Sequence, residues 1–313
     1  MLTITHLNNF GREHPGAVVA LGVFDGLHRG HQALIKKLIN RARAAGHQSV
    51  VLTFEPHPRK VLRRASQPFL LTTGAEKMLL LSRTGADVMA VIRFSKSTAA
   101  MEPEQFVKKI LVQKLGSALV ICGQDCGFGA GRRGDITLLK KLGQRYGFKA
   151  EGIDACRSGQ RKIGSTLIRQ QIQDGRFNRA VKLLGHPYLI SGRVVKGRGM
   201  GRKLGYPTAN LKVGDKLKLI PGDGVYAARA LAGKKTYDGM LYIGNRPTFG
   251  GRSARAIEFN AFGNPGDIYG RDLVLEVHRF IRPDRKFGGP GDLKKAITGD
   301  RIKVNKYFQP AKR

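Results

Sequence analysis

The feature that most constrains the fold is a change of rhythm partway along the chain. Up to about residue 185, short apolar runs alternate with stretches of helical periodicity; beyond it, strands and turns take over. Residues 18–23, 49–54, 88–94 and 118–122 read as buried strands. Residues 32–45, 75–83, 103–115 and 136–146 read as helices, the first with Ala33, Leu34, Leu38 and Ala42 at helical spacing. That alternation predicts an α/β domain, a parallel sheet covered on both faces. From about Pro187, residues 188–196, 224–231, 239–244, 256–262 and 273–280 read as strands between Gly, Pro and Asp turns. No long helix is expected until 291–297. Five or six short strands spaced this way predict an all-β second domain, a small antiparallel barrel. The boundary falls near Gly185-His-Pro187, after a helix over 178–184, giving domains 1–185 and 186–313.

In a parallel sheet, ligands bind beyond the carboxyl ends of the strands. The first strand runs into Gly22-Val-Phe-Asp-Gly-Leu-His-Arg-Gly-His31, which includes Phe24, His28 and Gly30. This is a strand-to-helix turn, and a helix N-terminus offers unpaired N–H groups and a positive dipole end to an anion. Gly30 allows backbone to approach a ligand closely. Imidazoles at such a place can stabilise charge developing on phosphate oxygens. The chemistry suggested is nucleotidyl transfer, in which a phosphate attacks the α-phosphate of ATP and pyrophosphate leaves. The competing reading is a pair of idle surface histidines. No Cys or Glu at ligand spacing makes this a zinc site. Phe54-Glu-Pro-His-Pro58 follows the second strand and Gly123-Gln-Asp-Cys-Gly-Phe-Gly129 the fourth, so both belong to the same edge.

The 56 Lys and Arg against 22 Asp and Glu give a formal charge of +34. Such a field attracts ATP, RNA and other polyanions. The basic residues are scattered, Trp is absent and no RNA-recognition motif is visible, so surface drift competes with a nucleic-acid role. Three cysteines, Cys122, Cys126 and Cys156, are too few and too odd in number for a disulfide framework. No apolar stretch is long enough to span a bilayer and no signal peptide is apparent, so a cytoplasmic protein is expected.

Four further stretches carry candidate chemistry. Ser165, in Gly164-Ser-Thr-Leu-Ile-Arg169, can cap the helix that follows, and Arg169 lies one turn on from Ser165 and Thr166. Caps with an Arg at a helix start can hold β- and γ-phosphates. Lys196-Gly-Arg-Gly-Met-Gly-Arg-Lys-Leu-Gly205 is a Gly/Arg loop whose backbone, at Gly197 and Gly201, and whose Lys203 could cover phosphates. Thr208 and Asn210, in Pro207-Thr-Ala-Asn210, supply oxygens that suit Mg²⁺ when phosphates complete the shell. Glu258 is an acid among Ala256, Ile257 and Phe259, either on a wet face or acting as a general base.

Taken in order, these motifs resemble the bifunctional bacterial riboflavin kinase/FAD synthetase family over nearly the whole chain. Gly129-Ala-Gly-Arg-Arg-Gly-Asp135, Ile243-Gly-Asn-Arg-Pro-Thr248, Asp267-Ile-Tyr-Gly-Arg271 and Ile281-Arg-Pro-Asp-Arg-Lys-Phe287 add to the match. The resemblance implies a Rossmann-like FMN adenylyltransferase domain followed by a riboflavin kinase barrel. It implies phosphorylation of riboflavin to FMN, then adenylyl transfer to give FAD, with ATP as co-substrate and Mg²⁺ as cofactor. By the same resemblance His28 and His31 act on the α-phosphate, and Ser165, Thr166 and Arg169 hold the ATP tail. Gly22, Phe24, Gly30, Asp125, Gly197, Gly201 and Lys203 contact ATP or its phosphates. Phe54, Pro56, Pro58, Arg282, Arg285 and Phe287 bind flavin, Thr208 and Asn210 bind Mg²⁺, and Glu258 is the kinase base.

The chain departs from the family pattern at Cys126 and Gly127, where an aromatic residue and an Arg are usual, and at Gly164, Asn245 and Asn260. Two other readings stay open: a scaffold with only its kinase half working, and a basic polyanion-binding protein on an inherited fold.

Overall fold

The computed structural model describes residues 1–7, 9–62, 67–197, 205–233, 235–246, 254–263, 266 and 268–309. They pack as two compact units. The first comprises Met1–Gln67 and Lys77–Ser165; the second comprises Pro68–Glu76 and Thr166–Arg313.

The first unit is built on a six-stranded sheet in the order β1-β4-β3-β2-β5-β6. Its strands are β1 (Leu2–Ile4), β2 (Ala17–Leu21), β3 (Ser49–Glu55), β4 (Val88–Arg93), β5 (Ser117–Gly123) and β6 (Lys149–Ile153), and every pairing is parallel; a separate antiparallel ribbon, β7 (Arg157–Ser158) and β8 (Arg161–Lys162), follows. All five residues of β2 are buried, as a central strand covered on both faces requires. The four strands expected from the sequence are β2 to β5. Neither β1 nor β6 was expected: β1 is three residues on an exposed edge, and Lys-Ala-Glu-Gly-Ile at the other edge has no apolar run. The helix expected over 103–115 forms as one α-helical turn, Pro103–Phe106, continued by π-helix over Val107–Lys114.

Strand order decides where a ligand can enter. From β2 the chain moves outward to β3 and β4, then returns to β5 on the other side of β2. That reversal opens a crevice at the carboxyl ends of β2 and β5. The histidine turn follows β2, and Asp125 and Cys126 follow β5.

The second unit is a closed barrel in the order β10-β13-β12-β11-β14-β9, antiparallel throughout. The strands are β9 (Tyr188–Val195), β10 (Ala209–Lys212), β11 (Gly224–Ala232), β12 (Lys235–Arg246), β13 (Ala254–Ala261) and β14 (Asp272–Pro283). β10 is the strand the sequence hid, since its four residues begin inside the Pro-Thr-Ala-Asn run. The last helix is Pro290–Phe308, much longer than the expected 291–297. Its buried residues, Ala296, Asp300 and Val304, recur every four positions, a stripe too narrow to read as amphipathic. By packing, Pro68–Glu76 and the helix Phe177–Leu184 go with the barrel, so the spatial division does not coincide with residue 185. Among the described residues no helix is long and apolar enough to cross a membrane.

The early segment joins the second unit through backbone and charge. Leu70 bridges Lys218, with N–H groups of Phe69 and Leu70 donating to the Leu217 carbonyl. Thr73 and Glu76 form a reciprocal capping box: the Thr73 N–H donates to Glu76 Oε2 at 2.9 Å, and the Glu76 N–H donates to Thr73 Oγ1 at 3.2 Å. The same carboxylate accepts from Lys218 Nζ at 2.6 Å and from the Ser191 N–H and hydroxyl at 2.7 and 2.8 Å. Both charged side chains are wholly buried. Lys218 also donates to the Leu71 carbonyl and lies 4.2 Å from the Tyr188 ring centroid.

Removing one partner of a buried, hydrogen-bonded pair typically costs about 3–5 kcal/mol, because the other charge is left uncompensated. Glu76→Gln should therefore destabilise the second unit by about that amount in urea unfolding. Lys218→Met in the same background should recover most of the loss. A double variant as unstable as the single one would show that the pair is not the source.

Candidate active sites

In the first unit the turn after β2 is tied down from several sides. The Gly22 N–H donates to the Leu52 carbonyl, and Thr53 Oγ1 donates to the Val23 carbonyl at 3.1 Å. Phe24 takes a left-handed backbone (φ 53°), and its buried ring folds back over Gly22, where a Cβ would stand 3.0 Å from it. So Phe24 supports the turn from beneath; its ring meets His31 edge-on at 5.2 Å.

The helix Arg29–Ala45 begins at His28, whose Nδ1 accepts the His31 N–H at a long 3.4 Å. A neutral His28 that accepts through Nδ1 carries its proton on Nε2. The rings of His28 and His31 stack at 3.7 Å with 18° between their planes. Gly30 permits this, since a Cβ there would stand 3.2 Å from the His28 ring. Burial, and the second imidazole beside it, hold the His31 pKa well below the ordinary histidine value. Among the described residues, His31 Nδ1 is buried without a hydrogen-bond partner. An enclosed polar atom with no partner is uncommon and calls for an explanation such as a catalytic role.

Ser165, expected to cap its helix, instead donates its hydroxyl to the Asp25 carbonyl at 2.8 Å. It thereby pins the histidine turn. Thr166 and Arg169 belong to the second unit, where Arg169 Nε donates to the Phe69 carbonyl at 2.6 Å. Among the described residues nothing lies within 4 Å of where a Cβ on Gly164 would sit, so their packing does not demand glycine there.

Asp125 pairs with Lys162, whose hydrogen bond lowers the carboxyl pKa. An ionised carboxylate repels phosphate, so any contact with ATP would run through hydroxyl or amino groups. Arg132 Nη2 donates to the Asp125 carbonyl at 3.4 Å, and a Cβ on Gly127 would stand 2.8 Å from Arg132 Nε. Gly127 thus leaves room for a guanidinium that arrives from position 132. The hydrogen bond to Cys126, with burial, pushes the Cys122 thiol far up, while that bond and Arg132 lower Cys126. Phe54 meets Phe94 edge-on at 5.8 Å and Phe106 at 6.2 Å. Pro56 follows Glu55, and Pro58 opens the short helix Pro58–Val61, capped by the ring of His57. Lys77, which the sequence reading passed over, is buried at the end of β3. It donates to the Phe54 carbonyl at 2.9 Å and pairs with Glu55 at 3.2 Å. A lone Lys beside Met-Leu-Leu-Leu on an apolar helix was its only signal.

In the second unit the pairing register assembles the other cluster. Asn210 lies opposite Glu258, Glu258 opposite Tyr242, Tyr242 opposite Val225 and Val225 opposite Arg282. Directly opposed residues share a face of the sheet. The alternate positions Leu241, Ile243, Ile257 and Phe259 are buried, so this row occupies the half-buried face. Thr208 Oγ1 donates to Glu258 Oε2 at 3.0 Å. Gly197 backs the Asn210 amide so closely that a Cβ would stand 2.0 Å from its nitrogen. Asn260 Nδ2 donates to the Pro207 carbonyl at 2.8 Å, steadying the run that carries Thr208 and Asn210. Hydroxyl, amide and carboxylate oxygens together suit a hard cation such as Mg²⁺. Gly201 and Lys203 lie outside the described residues.

Arg282 forms a bidentate pair with Asp300 at 2.8–3.0 Å, clamping the last helix to β14. Arg282 and Arg285 both lie over Phe287, at 5.7 and 5.0 Å. With Lys286, Asp292, Lys295, Lys303 and neighbours they line a cavity of about 540 Å³, a size that suits a small-molecule ligand. Asp300 and Asp284 were not anticipated, since acidic residues in a basic stretch read as solvated.

One unit with a parallel sheet and an anion-ready turn, and another with a closed barrel and a carboxylate–hydroxyl cluster, define a transferase with two sites. Residues 11–167 match the FAD synthetase family and residues 184–308 the riboflavin kinase family. The chain is 36% identical over 294 residues to the bifunctional riboflavin kinase/FMN adenylyltransferase of Escherichia coli K12, covering 94% of this chain and 93% of that protein. It is 34% identical over 311 residues to the protein of the same name from Buchnera aphidicola subsp. Schizaphis graminum, covering 98% and 99%. A solved chain from Streptococcus pneumoniae, described as a macrolide-efflux protein, matches with a TM-score of 0.83 at 30% identity, covering 99% and 100%. This chain belongs to the bifunctional riboflavin kinase/FMN adenylyltransferase family.

The low His31 pKa has a consequence for stability. The unfolded imidazole titrates near the ordinary value of 6.5. Below that pH the unfolded chain takes up a proton that the folded protein refuses, so folded stability falls with falling pH. The unfolding midpoint of the first unit should drop between pH 7.5 and 5.5, and His31→Gln should flatten that slope. Identical slopes in thermal melts of the two proteins would exclude His31 as the cause.

Proposed function

We propose that the barrel phosphorylates riboflavin to FMN and that the parallel-sheet unit adenylylates FMN to FAD, each at the cluster described above. We place the functional boundary at the sequence change, giving 1–185 for adenylyl transfer and 186–313 for the kinase. The observation that carries this reading is the Thr208–Glu258 hydrogen bond with Asn210 opposite, which unites a hydroxyl, an amide and a carboxylate from distant parts of the sequence.

In the kinase step Glu258, already accepting from Thr208, takes the proton of the ribityl 5′-hydroxyl as that oxygen attacks the γ-phosphorus of ATP. The bond to the β-phosphate oxygen breaks and ADP leaves. Thr208 and Asn210 would hold Mg²⁺, which neutralises phosphate charge when bound. The cavity against Arg285 and Phe287 seats the flavin, while Arg282 keeps its wall in place through Asp300.

In the adenylyl step the FMN phosphate attacks the α-phosphorus and pyrophosphate departs. The positive end of the helix Arg29–Ala45, with His28 and His31, stabilises the charge that builds there. Ser165 holds the turn in register, and Thr166 and Arg169 are the candidates for the triphosphate tail. The half-buried rings of Phe54 and Phe94, backed by the buried Phe106, offer a surface for the flavin. The efflux role attached to the pneumococcal chain is not carried over, because both halves of this one match flavin-enzyme families.

The decisive assay is incubation with riboflavin, ATP and Mg²⁺, followed by chromatography of the flavins. FMN and FAD should both appear; FMN alone would reduce the protein to a kinase. Glu258→Gln should cut FMN formation by about 10²–10⁴-fold while added FMN is still converted to FAD. His31→Ala should do the converse, lowering FAD formation by about 10²-fold or more. Equal loss of both activities in either folded variant would overturn the two-site assignment.

The +34 charge we assign to a solvated surface of a cytoplasmic protein. RNA binding should then be weak and indifferent to sequence, with affinity falling steeply as salt rises. Tight binding to one RNA over its scrambled counterpart at physiological salt would contradict this.

A further inference from the structure

The row across the barrel contains one polar residue that neither the kinase chemistry nor the flavin cavity accounts for. Tyr242 stands between Glu258 on β13 and Val225 on β11, and Val225 in turn faces Arg282. Its hydroxyl donates to Asp284 Oδ2 at 3.0 Å. Asp284 opens the segment Asp284-Arg-Lys-Phe287, whose last three residues line the cavity. The phenol reaches that far by lying along its own strand across Gly244. A Cβ at Gly244 would stand 2.1 Å from the Tyr242 hydroxyl oxygen and 2.4 Å from the ring carbon that bears it. No side chain at position 244 is compatible with this pose. Asp284 also accepts the Arg285 N–H through Oδ1, at 2.8 Å. The carboxylate is thus held on one side by the barrel wall and on the other by the segment it begins.

We infer that Tyr242 is a positioning residue of the kinase unit, fixing the Asp284–Phe287 wall of the flavin cavity to the strand beside Glu258. This rests on the reading of that cavity as the riboflavin site. Tyr242 touches neither reacting atom in this scheme; it acts through Asp284. Burial, the bond to Asp284 and the negative charges of Glu258 and Asp223 push its pKa up to about 12. The phenol therefore remains a hydrogen-bond donor throughout the working pH range. The consequence is selective: loosening this bond should weaken retention of flavin and leave the ATP side of the site alone.

The test uses the full-length protein with Tyr242→Phe, Gly244→Ala and Asp284→Ala, and the double variant Tyr242→Phe/Asp284→Ala. Riboflavin Kd is read directly from flavin fluorescence, beside kcat and the KM values for riboflavin and ATP. Tyr242→Phe should raise riboflavin Kd and KM about five- to tenfold, with the ATP KM within about twofold of wild type; loss of a hydrogen bond to a charged group has this scale or more. Gly244→Ala should reproduce the effect by displacing the phenol, although it alters neither bonded residue. The double variant should be no worse than Asp284→Ala, because the two groups act as one contact. Unchanged riboflavin affinity in Tyr242→Phe would overturn the inference, as would a rise in ATP KM of equal size or additive losses in the double variant. A wild-type protein that binds riboflavin and forms no FMN would overturn the kinase reading instead, and the Kd comparison would still decide the role of Tyr242.

Discussion

A carboxylate and an ammonium, both sealed from water, set the terms for the barrel. The Glu76–Lys218 pair is satisfied on nearly every side, by Ser191, Thr73 and the Leu71 carbonyl. A buried pair of this quality adds little net stability over an apolar core, but any arrangement that separates the charges is heavily penalised. It therefore acts as a selector of chain path. Glu76 has to be where Lys218 is, so Pro68–Glu76 joins the second unit although it lies within the first half of the sequence. The capping box gives the same carboxylate a second task, starting the helix Gly74–Ser82. One side chain thus fixes both a helix start and a tertiary attachment.

The two candidate sites are assembled by different means. In the first unit, a single turn concentrates the chemistry, and strand order provides the crevice. The stacked imidazoles need a strained approach, with left-handed backbone at Phe24 and Leu27, and that strain is held by Thr53, Ser165 and Gln32. In the barrel, no local stretch contains the site. Antiparallel register brings Asn210, Glu258, Tyr242 and Arg282 into one row from four strands, so the arrangement is as precise as the hydrogen-bond ladder between them.

Much of this was legible in the residues. The alternating half announces itself because central parallel strands are apolar throughout, and β2 to β5 stand where the apolar runs lie. Edge strands carry no such mark, which is why β1 and β6 escaped. The histidine turn could be read because the motif and its strand–helix setting are contiguous. Tyr242 and Asp284 could not, since their partnership depends on a register that links residues 42 apart. Arg282 stands in a visible motif, but its bond to Asp300 lies across a helix whose amphipathic stripe is too thin to see. Ser165 illustrates a different limit: a Ser before a helix reads as a cap, and only the tertiary fold offers it the Asp25 carbonyl instead.

The attachment of Pro68–Glu76 also has a timetable. Lys218 follows Glu76 by 142 residues. At a synthesis rate of about 5–20 residues per second, Glu76 emerges roughly 7–28 s before the lysine it must meet. During that interval Phe69, Leu70 and Leu71, all buried in the finished protein, have no barrel to enter. The burial of this short early segment is therefore completed only by residues made much later, so it is the last piece of the first half of the sequence to find its partners.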